Sequence, residues 1–366
     1  MALEPQTATG STSKLGKYEL TREMSGSGVA STWLAQTEGS TKSYVVLRLH
    51  KHVTKKPEVA EAFLRDAKNG KLLTQANVVP MVETGVGDGE IFVVAEHFEG
   101  ETLSSLVTNA KTAGIPLPIA LRIGLEMLEG LAAAHAQGEP IVHGELSPFH
   151  VQVGKDGVTR VGGFGWARAL AKLGPHGIMK QDRLAYAPPE RVKAMSAATP
   201  GGPTGTIDPK GDVFAAAVIL WEIIAKQRLF ASKMEAAVVQ KVLSGAIQEL
   251  SSVMIEGLPA ALEEALPKAM ERDPAKRASL DSLLQALRSV PADKLAKPEE
   301  VGAFVEKFAS KPAAAPAVAP AASPAVAPAA AVGPKPAPAA AARPPQPTVV
   351  GVAAPGANGK APLGVK

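Results

Sequence analysis

The residues whose types and spacing could do chemistry lie between His143 and Trp166, in the stretch HGELSPFHVQVGKDGVTRVGGFGW. Glu145 brings a carboxylate, Ser147 a hydroxyl, and His143 and His150 bring imidazoles, the groups that move protons or hold metals. Neutral imidazole suits zinc or copper better than magnesium, which demands oxygen ligands. The glycine-rich end of the stretch, VGGFGW, carries no acid. Far upstream, YELTREMSGSGVASTWLAQT places Gly26 and Gly28 near a turn, where backbone N–H groups can face a phosphate. Two glycines are weak evidence for a nucleotide.

Several elements must position these groups. YELTREMSGSGVASTWLAQT reads as strand, turn and strand, and KSYVVLRLH as the next strand. EVAEAFLRDAKNGKLL has the apolar spacing of an amphipathic helix. NVVPMVETGVGDGEIFVVAEHFEG reads as two strands around Gly87-Asp88-Gly89, and PIALRIGLEMLEGLAAAHAQG as a long helix ending at Gly138.

In this order the motifs resemble those of a protein kinase of the Hanks-type Ser/Thr family, over residues 17 to about 290. His143-Gly144-Glu145-Leu146-Ser147-Pro148-Phe149-His150 stands for H-R-D-x-x-x-x-N, and Gly163-Phe164-Gly165 for D-F-G. The resemblance implies an α+β, bilobal fold with a small antiparallel-sheet lobe and a larger, mostly helical one. It implies catalytic positions at Glu145 (the base), Arg48 (the phosphate-binding Lys) and Asp66 (the helix acid that pairs with that Lys). An Arg48–Asp66 pair would keep the small lobe closed. Gly26, Gly28, Val46 and the hinge residues Glu96 and Phe98, with Ala95 before them, would line a nucleotide pocket.

Each departure weakens that chemistry. Glu145 moves its oxygens by about an ångström relative to Asp, a misplacement that can cost roughly a hundredfold in rate. Ser147 replaces a Lys, His150 an Asn that should meet magnesium, and Gly163 the Asp that bridges metal and phosphates. Gly144 replaces an Arg, and between Phe164 and Ala185 there is no Ser or Thr to accept a phosphate. Gly70 replaces a Leu that would pack the helix onto Phe164, which should loosen the small lobe. The architectural residues remain: Glu190 with Arg277 as an ion pair, and Asp212 capping the central helix and holding the loop's backbone.

Composition sets the outer limits. The chain has 366 residues, 46% hydrophobic, and no cysteine, which removes disulfides and thiolate metal sites. Its longest apolar run, Val213 to Ala225, is broken by Glu222 and too short to span a bilayer, so a cytoplasmic protein without a membrane span is expected. The net charge of +4 arises in a tail that has five basic residues from Lys311 onward and no acid, which argues against a nucleic-acid partner. Domains follow: a disordered leader 1–16, a small lobe and hinge 17–98, a large lobe 99–290, a linker and docking helix 291–308, and a disordered Ala/Pro-rich tail 309–366. Val192 to Asp208 holds an insertion in which Thr199, Thr204 and Thr206 are candidate phosphate acceptors.

The leading expectation is a pseudokinase: a scaffold or allosteric regulator whose partner is an active kinase or another signalling protein, with no metal and no resident cofactor. The alternatives are a divergent Ser/Thr kinase with weak transfer, for which ATP and magnesium would be needed, and a non-catalytic switch that binds a nucleotide or another small ligand.

Overall fold

The computed structural model describes residues 13–26, 29–165, 181–197 and 207–310. Gly28, most of the segment between Phe164 and Ala185, the insertion threonines and the tail from Lys311 onward lie outside the described residues.

The small lobe is a six-stranded antiparallel sheet, ordered β1-β2-β3-β4-β6-β5. Its strands are β1 (Ser13–Leu15), β2 (Tyr18–Gly26), β3 (Ala30–Thr37), β4 (Ser43–Leu49), β5 (Met81–Gly87) and β6 (Glu90–Glu96). Helices α1 (Lys51–Thr54) and α2 (Pro57–Gly70) join β4 to β5. The sheet is apolar on both faces. One face packs Leu49, Ile91 and Val93 on Val59, Ala62 and Phe63 of α2; the other packs Tyr18, Leu20, Val46, Phe92 and Val94 together. Ser13–Leu15 differs from the expected disordered leader. It pairs with Tyr18–Leu20, because Leu15 can be buried in the second of these clusters.

The large lobe carries a three-stranded sheet of β7 (Gly100–Thr102), β8 (Val151–Gly154) and β9 (Thr159–Val161). Around it stand α3 (Leu103–Ala110), α4 (Leu117–His135), α5 (Gln181–Leu184), α6 (Pro189–Ala197), α7 (Pro209–Ala225), α8 (Glu235–Ser244), α9 (Ala260–Ala269) and α10 (Leu280–Arg288). Helix α7 is buried from Gly211 to Ala225, which its apolar composition on every side requires. Its N-cap is Asp208, not Asp212 as expected, because the Asp208 carboxylate accepts from Lys210 N at 2.7 Å; Asp212, one turn on, is left for the backbone of the His143–His150 loop. Arg277 closes on Glu190 with two 2.8 Å bonds, joining α6 to the loop before α10.

A last helix, α11 (Pro298–Phe308), buries Val301, Phe304 and Val305 in the large-lobe core. Asn109 Nδ2 donates to Phe308 O at 2.9 Å, and Ser310 N to Glu101 Oε1 at 2.7 Å, fixing the helix end beside β7.

Candidate functional site

The loop from His143 to His150 is hung from α7. Asp212 accepts from His143 N at 2.8 Å and from Gly144 N at 2.7 Å, and His135 Nε2 lies 2.9 Å from the same carboxylate. His135, unremarkable in the sequence, thus helps to hold the anchor. Gly144 has φ +73°, a left-handed conformation that accounts for glycine where the family has Arg. The His143 ring is fully buried, its Nε2 2.8 Å from Gly162 O and its edge against the Phe164 ring at 5.0 Å. Burial holds its pKa below the ordinary histidine value, with the Asp212 carboxylate only partly opposing.

Glu145 is 7% exposed and bound to a residue that the sequence did not single out. Arg191 on α6 donates from Nη2 to Glu145 Oε1 at 3.0 Å and from Nη1 to the Gly144 carbonyl. Arg191 Nε and Glu145 Oε2 have no hydrogen-bond partner. The two residues line a cleft together with Arg183, Tyr186, Pro188 and Asp208. The only signal for this pair was a cation next to Glu190, and a separation of 46 residues hides it.

Ser147 Oγ lies 3.0 Å from His150 Nδ1, so the residues standing for Lys and Asn are bonded to each other. Burial, then the nearby His143 and Arg183, push the His150 pKa well down, which keeps the imidazole neutral. Gly163 offers the site no side chain. Magnesium, which needs oxygen ligands in octahedral order, does not fit this donor set. Among the described residues no cluster of three His, Asp or Glu could hold a metal ion.

The small lobe corrects the reading of Arg48. Residues directly opposite across strands share a face. Arg48 lies opposite Ser31 and Phe92, on the face of Val46 and Val94; Leu47 lies opposite Thr32 and Val93, on the face of α2. Arg48 therefore points away from α2 and forms no pair with Asp66. Its Nε lies 3.0 Å from Glu90 Oε2, off the N–H axis so that the contact is ionic, and its guanidinium is 5.6 Å from the Trp33 ring centre. Val46 likewise belongs to the far face, not to a pocket facing α2. The residue that the sheet turns toward α2 at this level is Leu47.

Asp66 is 2% exposed on α2, with its Oδ1 3.7 Å from Arg65 Nε. Gly70, one turn on, leaves no void. A Cβ there would stand 2.8 Å from Met81 Cε and 3.1 Å from Phe164 O, so the Gly163–Gly165 backbone and Met81 occupy the Leu position. The gap from which loosening was expected is therefore filled. Gly26 closes β2 opposite Ser31. At the hinge, Glu96 N donates to Pro80 O at 3.1 Å, and the Arg160 guanidinium covers the Phe98 ring at 4.0 Å.

This bilobal arrangement has matches among known proteins. Residues 18–287 match the family described as protein kinase domain. The chain belongs to that family. It is 28% identical over 243 residues to the tyrosine-protein kinase MasK of Myxococcus xanthus, covering 63% of this chain and 36% of that protein. It is 24% identical over 231 residues to the serine/threonine-protein kinase PrkC of Bacillus subtilis, covering 62% and 33%. The chain thus spans about a third of the length of these curated relatives. The crystal structure of the Mycobacterium tuberculosis PknI kinase domain matches 77% of this chain and 99% of its own with a TM-score of 0.57; at 19% identity that likeness concerns the fold. Among the described residues no helix of this kinase domain is long and apolar enough to cross a membrane.

Proposed function

We propose that this kinase domain has lost phosphotransfer and works as a pseudokinase, a cytoplasmic scaffold or allosteric regulator of a protein partner such as an active kinase. The observation that carries the reading is the register of β4: the sheet turns Leu47, not a cation, toward α2, while Arg48 is engaged with Glu90 on the other face. The charge that would hold nucleotide phosphates is missing there. Three neighbours agree: Gly163 has no metal ligand to give, His150 is spent on Ser147, and Glu145 is spent on Arg191. In contrast, the contacts that hold the fold, Asp212 to the loop and Arg277 to Glu190, are complete.

The second reading, a divergent kinase with weak ATP-dependent transfer, is favoured by one feature: Glu145 keeps a carboxylate at the base position, with Oε2 unbonded. Thermal unfolding with ATP, with and without magnesium or manganese, followed by radiolabelled phosphotransfer on the same preparation, separates the two. Because a ligand stabilises the state that it binds, millimolar nucleotide should raise Tm if the site is occupied at all. No shift and no label is the expected result. A metal-dependent shift with label that disappears in Glu145→Ala would overturn the proposal.

A further inference from the structure

Arginine and a carboxylate meeting side by side normally close with two parallel hydrogen bonds. Arg277 and Glu190 do so in this protein, at 2.8 Å each. The Arg191–Glu145 pair does not. Nη2 reaches Oε1 at 3.0 Å, Nη1 is taken by the Gly144 carbonyl, and the remaining donor and acceptor, Nε and Oε2, have no partner. Both side chains are buried, at 5% and 3% exposure. Buried polar atoms are nearly always bonded, and leaving one unmade is costly. Here two orphans of opposite character belong to one buried ion pair, whose two residues line a cleft with Arg183, Tyr186, Pro188 and Asp208.

We propose that the open half of the Glu145–Arg191 pair is a binding site for a primary carboxamide, presented by an Asn or Gln side chain of the partner protein. The inference rests on the scaffold reading and names what that scaffold grips. A carboxamide edge sets a carbonyl oxygen beside an N–H, so its oxygen accepts from Arg191 Nε while its N–H donates to Glu145 Oε2. It also carries no charge, which matters because the ion pair is already neutral and buried. A phosphate or carboxylate would bring a second anion against Oε2, and an ammonium has nothing to accept from Nε. A hydroxyl would have to serve both atoms with one oxygen. Arg183 lines the same cleft, lies 5.6 Å from the Phe149 ring centre and has no ion pair among the described residues. It favours an acidic residue beside the carboxamide in the partner segment.

The test is side-chain NMR of the full chain, following the Arg191 Nε–H resonance while the N-acetyl N′-methylamides of glutamine, glutamate and serine are titrated, so that only the glutamine probe carries a primary carboxamide. The glutamine probe should shift the resonance saturably; the serine probe should bind about tenfold more weakly, since one of two bonds to charged groups is strained or lost, and the glutamate probe not at all. In Arg191→Lys, which keeps the charge and loses Nε, the glutamine probe should lose about tenfold in affinity by thermal shift. Arg183→Gln should leave that affinity unchanged. If Arg191→Lys does not fold, the three-probe comparison on the natural chain decides. Equal or tighter binding of the serine probe, or no saturable response to any probe, overturns the proposal and leaves water in the gap. Absent probe binding together with absent phosphotransfer sinks this inference alone; phosphotransfer to a peptide hydroxyl sinks the scaffold reading beneath it.

Discussion

Glu145→Ala should behave as the removal of a structural ion, not of an exposed catalytic acid. The substitution leaves Arg191 buried at 5% side-chain exposure, with Nη2 stripped of its partner and only the Gly144 carbonyl remaining. Removing one member of a buried pair costs about 3–5 kcal/mol. For a domain of this size that corresponds to a fall in Tm on the order of 10 °C. Glu145→Gln retains an acceptor for Nη2 and should cost about 1–3 kcal/mol. Replacing both partners, Glu145→Leu with Arg191→Met, should recover most of the loss, because neither charge is then buried alone. The assay is urea and thermal unfolding of these proteins together with the single variants Glu145→Leu and Arg191→Met, with the coupling read from the double-mutant cycle that those two singles, the double and the natural chain complete. An active-site acid held for chemistry usually gives the opposite sign, since its removal relieves strain. A Glu145→Ala cost under about 1 kcal/mol, the range of exposed pairs, would refute the assignment of this carboxylate to Arg191.

Restoring the family residue in Gly70→Leu should destabilise by about 1–3 kcal/mol, because Met81 Cε and the Phe164 carbonyl fill the position; a gain in Cm would contradict the close approach of the loop to α2. Acid should weaken the fold through His143 and His150. Both have pKa values lowered by burial, so the unfolded chain binds their protons first, and stability that is complete above about pH 6.5 is lost as pH falls toward the folded values. Burial raises the carboxyls of Glu126 and Glu222, which act in the opposite sense, so the comparison that isolates the imidazole is Tm against pH for the natural chain and for His150→Asn. The variant should show the shallower slope. Phe304→Ala on α11 should cost roughly 3–5 kcal/mol and lower Cm at unchanged m, which would establish the helix as part of the folding unit; a loss under about 1 kcal/mol would place it outside.

The series of motifs made the family legible from the chain alone. Glu190 with Arg277, Asp212 with the backbone of His143 and Gly144, and the apolar run of α7 are recognisable because each is a fixed spacing tied to a packing requirement that any such fold must meet. The loss of side-chain chemistry at Gly163 is equally plain in the sequence, since an absent side chain needs no structure to be seen. Which neighbour of Arg48 occupies the lysine place was not legible. Side chains alternate with a period of two, so a slip of one residue moves a strand's whole set to the opposite face, and only the pairing of β4 with β3 and β6 settles that Leu47 faces α2. The leader's last residues became a strand because Leu15 finds a buried place beside Tyr18. Gly70 read as a missing contact, yet the tertiary structure closes the space with backbone and Met81, as dense interiors demand. Glu145 itself was visible in the chain; that its charge is held by Arg191, on a helix far along the sequence, is a fact of three-dimensional proximity alone.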